Sequence, residues 1–399
     1  MKDKIIELSN KYHNETREYR RYIHMYPELS FTEFQTTEFI IDTLKEFEGV
    51  EIFTNFAETG LVAKIEGQNP GKKSVALRAD IDALPIHEQN ENIPYKSKNE
   101  GIMHACGHDV HTASLITACR ILSQLRNEFE GTVWCIFQPA EEKLPGGAKQ
   151  MLDNGLFDFI KPDFVIGQHV MPDIPVGKIG LHPGNFMAST DEIYLEIKGK
   201  GGHAALPFKL VDPIIIQAQV INALQTIVSR TIPAHIPSVL SFGKIEARGA
   251  TNIIPDSVKI EGTFRTMDEN WRKTALGKIE SITKGIASAF GGEANVNIVN
   301  GYPVLYNNPE LTATFKEKAV DILGKENVLD IEIRMTAEDF AYYSHKAPSV
   351  FYRLGTGNPQ KPGTLNPLHS ANFNVDEDVL AYSPALLVYG ALSINFNAK

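Results

Sequence analysis

Gly131-Thr-Val-Trp-Cys-Ile-Phe-Gln-Pro-Ala-Glu-Glu142 decides the fold. Gly131 to Phe137 is a near-continuous apolar run of strand length, and two adjacent carboxylates follow almost at once. A run without polar alternation reads as a strand buried on both faces, as in a parallel sheet covered by helices. Open α/β sheets hold ligands just beyond the carboxyl ends of such strands, where Glu141 and Glu142 fall. Adjacent side chains diverge, so one carboxylate can bind a metal while the other reaches a water. A solvated acidic lead into the Gly146-Gly147 loop is the plainer alternative.

Working outward, the same alternation of helices and apolar strands continues on both sides. Ile5, Leu8, Tyr12, Tyr19 and Ile23 trace one stripe of an opening helix, interrupted by Pro27. A second helix is expected over 31–47, opened near Ser30 or Thr32. Gly60 to Gly67 alternates like a strand, and Ser74 to Asp80 reads as a buried strand ending in acids. Helical spacing covers 111–125 and 147–152, and Phe164 to Gly167 is another strand. After about residue 180 the order becomes strand (193–198), helix (213–230), strands (239–246 and 258–265), helix (271–290) and strand (294–299). That β-α-β-β-α-β order is the split, ferredoxin-like arrangement with two helices on one face of four strands. A helix at 309–323, a strand at 349–354 and a helix at 380–392 return to the first pattern. The expected architecture is an α/β catalytic domain split into 1–180 and 297–399 around an inserted α+β domain at 181–296.

Length and charge agree with two domains and exclude some functions. A chain of 399 residues corresponds to two or three units at about 150 residues each. With 39 Lys+Arg against 49 Asp+Glu, the net charge of -10 speaks against nucleic-acid binding, which needs phosphate-neutralising cations. Three cysteines, Cys106, Cys119 and Cys135, are not a secreted disulfide scaffold. The charged opening segment lacks an apolar core, and no stretch suits a membrane span, so a soluble, cytoplasmic protein is expected.

Four segments place metal-compatible donors after apolar runs. In His104-Ala-Cys106-Gly-His108-Asp109-Val-His111, the glycine gives the backbone freedom for Cys106 and His108 to converge; a helix start capped by Asp109 is the alternative. Glu141-Glu142, Gln168-His169 and Leu368-His369 supply the others. Asp80-Ile-Asp82-Ala-Leu-Pro85 also ends a strand. There Asp82 can orient a ligating histidine, one aspartate can ligate directly, or both can simply cap the turn. In the expected insert, Gly199-Lys-Gly-Gly-His203 and Thr251-Asn252 are candidates, although an asparagine in a turn is commonplace.

Taken together, His24-Met-Tyr-Pro-Glu28, Leu77 to Pro85, His104 to Asp109, Phe137 to Glu142, Gly199 to Ala204, Thr251 to Pro255, Gly262 to Arg265 and His369 to Asn372 carry a resemblance. The chain resembles the di-metal aminoacylase and carboxypeptidase family of amidohydrolases. It is nearest the branch of hippurate and N-acyl-amino-acid hydrolases, acetyldiaminopimelate deacetylase and plant auxin-amino-acid hydrolases.

The resemblance implies a metallopeptidase-like catalytic domain with an inserted lid or dimerisation domain, and two divalent ions bridged by the Cys106 thiolate. Glu142 and His369 complete one ion's ligands, and His108 and His169 the other's. Thiolate with imidazole favours zinc, manganese, cobalt or nickel over magnesium or calcium. Glu141 becomes the general base and acid, Asp82 the acid that orients the metal site, and His203 an oxyanion partner. Asn252 and Arg265 address the substrate, and Asp80 stands where the wider family has a metal histidine. His104 and His111 become supporting candidates, and Cys119 and Cys135 packing residues. The implied activity is hydrolysis of small N-acyl-L-amino acids by a homodimer or larger homo-oligomer. Dipeptidase or carboxypeptidase action, or acetyldiaminopimelate deacetylation, are alternatives with the same chemistry. A non-catalytic binding module is the reading that the complete donor set argues against.

Overall fold

In a computed structural model, residues 1–395 are described. The last four positions of the expected catalytic segment, 396–399, lie outside the described residues. The chain forms two compact units. One comprises 1–184, 306–332 and residue 339 onward; the other comprises 185–305 and 333–338.

These boundaries differ from those expected at 181 and 296. Ile179–Leu181 is a strand of the first unit's sheet, so the chain leaves that unit only afterwards. The strand Glu293–Asn300 runs past 296, and the Gly301 N–H donates to Thr190 O at 3.0 Å. Residues 333–338 return to the second unit because the Ala188 N–H donates to Arg334 O and Thr336 O, both at 3.1 Å.

The first unit is built on an eight-stranded mixed sheet. From one edge its strands are 50–53, 61–66, 132–138, 74–80, 164–175, 349–357, 179–181 and 328–330. The central strands Thr132–Gln138, Ser74–Asp80, Phe164–Pro175 and Ser349–Gly357 run parallel. All seven residues of Thr132–Gln138 are buried, as a strand covered on both faces requires. From Ser74–Asp80 the chain passes through the helix His108–Leu125 to a neighbour on one side. It then returns through Gly147–Asp153 and Leu156–Ile160 to Phe164–Pro175 on the other. Ser74–Asp80 is therefore the switch point of the sheet, where a crevice opens beyond the strand ends.

The helix His108–Leu125 sits deep in this unit. Val110, Leu115, Ile116, Ile121, Leu122 and Leu125 are fully buried in one apolar cluster with Leu77 and Cys135. Each such leucine or isoleucine contributes about 2 kcal/mol relative to exposure. Cys119 and Cys135 both belong to this cluster, in packing positions. The helix expected from Phe31 begins instead at Phe34, because Phe31 adopts a left-handed backbone (φ 67). Its first turn is capped from upstream, the Thr36 N–H donating to Glu28 Oε2 at 2.8 Å.

The second unit carries an antiparallel sheet in the order 238–247, 257–266, 189–198, 293–300. Ile193, Leu195 and Ile197 are buried while Tyr194 and Lys198 are exposed, so one face packs against helices. Those helices, Pro213–Thr226 and Glu269–Ala289, contribute Ile216, Val220, Leu224, Ala275 and Ile279 to the core. Asp212 caps the first, accepting from the Ile214 N–H, and Asp268 caps the second, accepting from the Trp271 N–H. The helix expected to reach Arg230 is α-helical to Thr226 and ends in a π-turn over Ile227–Thr231.

Candidate metal centre

Beyond the switch-point strand, the first unit gathers donors from the turn and helix start at 106–108, the end of the strand 132–138, the strand 164–175 and the loop at His369. Cys106, His108 and His169 offer ligand atoms within 4.8 Å of one another; so do Cys106, Glu142 and His369, and likewise His108, Glu141 and Glu142. Cys106 is common to the first two groups. Its Sγ lies 3.3 Å from His169 Nε2, and His369 Nε2 lies 3.1 Å from Glu142 Oε1. Ligands at 2.0–2.3 Å from a tetrahedral ion stand about 3.3–3.7 Å apart; the Cys106–His169 spacing suits that geometry, while the shorter His369–Glu142 distance is that of an ion pair.

The local backbone explains the convergence. Gly107 is left-handed (φ 78) and is the N-cap of the helix, so Cys106 lies in the turn and His108 in the first helical position. A helix start and a donor cluster are here the same structure. An added Cβ at Gly107 would lie 2.4 Å from Val170 Cγ2. His169, expected just after a short strand, lies inside a longer one, because Ser349–Gly357 pairs with 164–175 as far as Pro175. His369 is exposed and left-handed (φ 61), and its N–H donates to Ala105 O at 2.9 Å, tying its loop to the cysteine segment.

Hydrogen bonds fix the histidine tautomers. His108 Nδ1 donates to Asp82 O at 2.9 Å and faces the Asp82 carboxylate at 3.2 Å, leaving a buried Nε2 without a partner. His169 Nδ1 donates to Val170 O at 2.7 Å, which frees Nε2 toward Cys106. Glu142 Oε1 is buried and lacks an aligned hydrogen bond despite the nearby His369. Buried Nε2 and Oε1 atoms without aligned hydrogen bonds, gathered beside a thiol, suit a metal site whose ligands are oriented from behind.

Asp82 ties His108 to the Glu142 backbone. Its second oxygen accepts from Ser30 Oγ at 2.7 Å and from the Glu142 N–H at 3.0 Å. Burial works against the carboxylate, but His108, the Glu142 N–H and Ser30 outweigh it and hold Asp82 below its usual range. Asp80 is committed elsewhere, accepting from Arg78 at 2.7 Å and from His111 Nδ1 at 2.6 Å. His111 Nε2 accepts from the Val170 N–H at 2.9 Å, so this ring has no lone pair left for a metal. His104 is buried with neither ring nitrogen hydrogen-bonded, and burial pushes it down to about 3.

Electrostatics among these donors favour bound protons. Burial and the Glu142 and Glu141 carboxylates push the Cys106 thiol well above its ordinary value. Burial lowers His108, but Asp80, Asp82 and Glu142 outweigh it and bring it up to about 10. Glu141 is buried, and its Oε1 faces the Asp339 N–H at 3.4 Å.

The sequence reading missed the residues behind this wall. Arg78 is fully buried and donates to Gln138 Oε1, Asp80 and Asp339 at 2.7–2.9 Å. Asp339 also accepts from Gln138 Nε2 and the Ala148 N–H. A lone arginine in the apolar strand 74–80 was the signal for this cluster. His24 and Arg20 both reach Asp109, at 2.8 and 2.7 Å, and so anchor the helix start to the opening helix.

The second unit places its candidates in two locations. Gly202–His203 pairs antiparallel with Ile253–Ile254, and the Ala204 N–H donates to Asn252 O at 3.0 Å, which makes His203 and Asn252 neighbours. His203 is exposed, and its Nδ1 accepts from the Ala205 N–H at 3.1 Å, so Nε2 carries the proton and points outward as a donor. Arg265 lies in the main sheet, half-buried, with its guanidinium 3.3 Å from Met335 O.

The fold and this donor set define a metal-dependent hydrolase with a two-ion centre. The chain belongs to Peptidase family M20/M25/M40, whose pattern it matches over residues 76–389. An N-acetyl-L-cysteine deacetylase of Bacillus subtilis is 43% identical over 361 residues, covering 90% of this chain and 83% of that protein. Thermostable carboxypeptidase 1 of Saccharolobus solfataricus is 38% identical over 405 residues, 99% of this chain and 100% of that protein. The crystal structure of a dinuclear metal-binding peptidase of Bacillus subtilis, 35% identical, matches with a TM-score of 0.81 over 96% of this chain and 98% of that one. The coarse activity is that of a metal-dependent amidohydrolase or carboxypeptidase-like enzyme on small substrates. Among the described residues no helix is long and apolar enough to cross a membrane.

Proposed function

We propose that this enzyme hydrolyses the amide bond of small N-acyl-L-amino acids, releasing a carboxylic acid and a free amino acid. The observation that carries the reading is Cys106 shared by two donor groups, with the buried Glu141 carboxylate beside His108 and Glu142. Cys106, Glu142 and His369 would hold one ion, and Cys106, His108 and His169 the other. Bound there, zinc, manganese, cobalt or nickel would polarise the amide carbonyl and acidify a water.

Glu141 accepts the proton of the attacking water and delivers it to the leaving nitrogen as the C–N bond breaks. Asp82 keeps His108 in the tautomer that presents Nε2. His203 serves as an Nε2–H donor to the developing oxyanion, and Asn252 and Arg265 recognise the substrate carboxylate. The enzyme works in the cytoplasm as a homodimer or larger homo-oligomer. The name of the Bacillus deacetylase, whose substrate is an N-acetylated amino acid, supports the acyl side of this reading.

Glu141→Gln tests it. The variant should keep both ions, counted by elemental analysis, while turnover of an N-acetyl amino acid falls by about 100- to 10,000-fold. Unchanged turnover in the metal-loaded variant would remove Glu141 as base. The Saccharolobus relative favours carboxypeptidase action as a second reading. Release assays comparing acetyl and benzoyl amino acids with dipeptides separate the two.

A further inference from the structure

One buried acid in the first unit is used by none of the chemistry above. Glu33 is fully buried at the start of the helix Phe34–Lys45. Its Oε1 accepts from the Ala140 N–H at 2.8 Å and from the Phe31 N–H at 3.0 Å, and its Oε2 accepts from Thr59 Oγ1 at 2.6 Å. Both amides held by Oε1 belong to left-handed residues that are not glycine, Ala140 at φ 51 and Phe31 at φ 67. That conformation costs an L-residue about 1–2 kcal/mol, so it persists only where its surroundings impose it.

Ala140 immediately precedes Glu141 and Glu142, and its conformation sets the direction in which both carboxylates leave the strand. The turn is closed in on other sides by shape. A Cβ on Gly147 would lie 1.8 Å from Pro139 O, and one on Gly60 would lie 2.6 Å from Pro139 Cδ. The Gly147 N–H donates to Ala140 O at 3.0 Å. Glu33 supplies the matching hydrogen bond to the amide side of Ala140. With Ala140 fully buried, no solvent stands by to replace that acceptor.

We infer that Glu33 is a positioning residue: its carboxylate holds the Ala140 turn left-handed and thereby aims Glu141 and Glu142 into the metal centre. The role rests on the proposed parts of Glu141 and Glu142, yet it requires no particular substrate. It is a role of shape and acceptor reach rather than of charge. A glutamine at 33 keeps an oxygen in place for both amides and can turn its amino group toward Thr59 Oγ1. An aspartate keeps the charge but falls short by one methylene, about 1.5 Å.

Glu33→Gln, Glu33→Asp and Glu33→Asp with Ala140→Gly, made in the full chain, test this. Zinc affinity is read by chelator competition, and kcat and KM at saturating zinc. Glu33→Gln should stay within about threefold of wild type in every readout. Glu33→Asp should lose about 10- to 100-fold in affinity for the weaker ion and in kcat, with KM within about threefold. Glycine at 140, which meets little penalty in the left-handed region, should restore part of that kcat.

Wild-type zinc affinity and kcat in folded Glu33→Asp would overturn the inference. So would a glutamine variant as impaired as the aspartate one, since that would make charge the operative property. Failure of the base assignment would show separately, as turnover surviving in Glu141→Gln. The zinc affinities would still decide the part played by Glu33.

Discussion

Loading this centre should expel protons, and the site sets their number. Without metal, burial and the Glu142 and Glu141 carboxylates keep the Cys106 thiol protonated at neutral pH. His108, held up to about 10 by Asp80, Asp82 and Glu142 against the effect of burial, carries its proton at pH 7–8. His169 is pushed well down by burial and Arg353, so it is already neutral. Ligation requires a thiolate and neutral imidazoles, so filling the centre displaces one proton from Cys106 and one from His108. The overall affinity for the ion pair should then rise about 100-fold per pH unit between pH 7 and 8, equivalent to about 2.7 kcal/mol. His369, raised by the adjacent Glu142 carboxylate, can add to this count. Titration calorimetry with zinc in buffers of different ionisation enthalpy counts the protons directly, and chelator competition at the two pH values gives the slope. Cys106→Ser should release about one proton fewer. A wild-type release below one proton, or an affinity indifferent to pH, would refute this protonation scheme and the ligand roles of Cys106 and His108.

Other substitutions probe the surroundings. Asp82→Asn places an amide N–H against either His108 or the Glu142 N–H, and zinc affinity by chelator competition should drop about 10- to 100-fold. Arg20→Met leaves Asp109 buried beside His24 without its guanidinium; urea unfolding of the metal-free protein should show a loss of about 3–5 kcal/mol. In Gly147→Ala the new methyl meets Pro139 O, and thermal unfolding should reveal a destabilisation of about 1–3 kcal/mol or more.

Much of the candidate site was legible because Glu141, Glu142 and His169 come at or after apolar strands, and because the thiol and imidazole of Cys106-Gly-His108 narrow the chemistry. Glu141, Glu142, Cys106 and His108 could be found that way. Arg78 and Asp339 could not be paired from sequence, since their contact depends on two distant segments meeting behind the sheet. The role of His111 turned on which ring nitrogen accepts the Val170 N–H, a matter of geometry that residue type leaves open. The start of the second helix was placed three residues early because stripe and composition do not reveal that Phe31 is forced left-handed. His169 fell inside a strand because strand length was set by its partner, 349–357, rather than by its own residues.

The neighbour relation between Phe164–Pro175 and Ser349–Gly357 has a consequence for biogenesis. The central sheet can close only after the whole intervening chain has been synthesised, including every residue of the second unit. Closing so long a loop carries an entropic cost that grows slowly with length, but it delays the pairing in time. During translation the second unit can complete its own sheet while the first still exposes the unpaired edge of 164–175. His369 emerges later still, so a nascent chain holds the Cys106, His108 and His169 group before it holds the Cys106, Glu142 and His369 group. Until 349–357 arrives, that edge of 164–175 is the part of the sheet open to unwanted strand pairing.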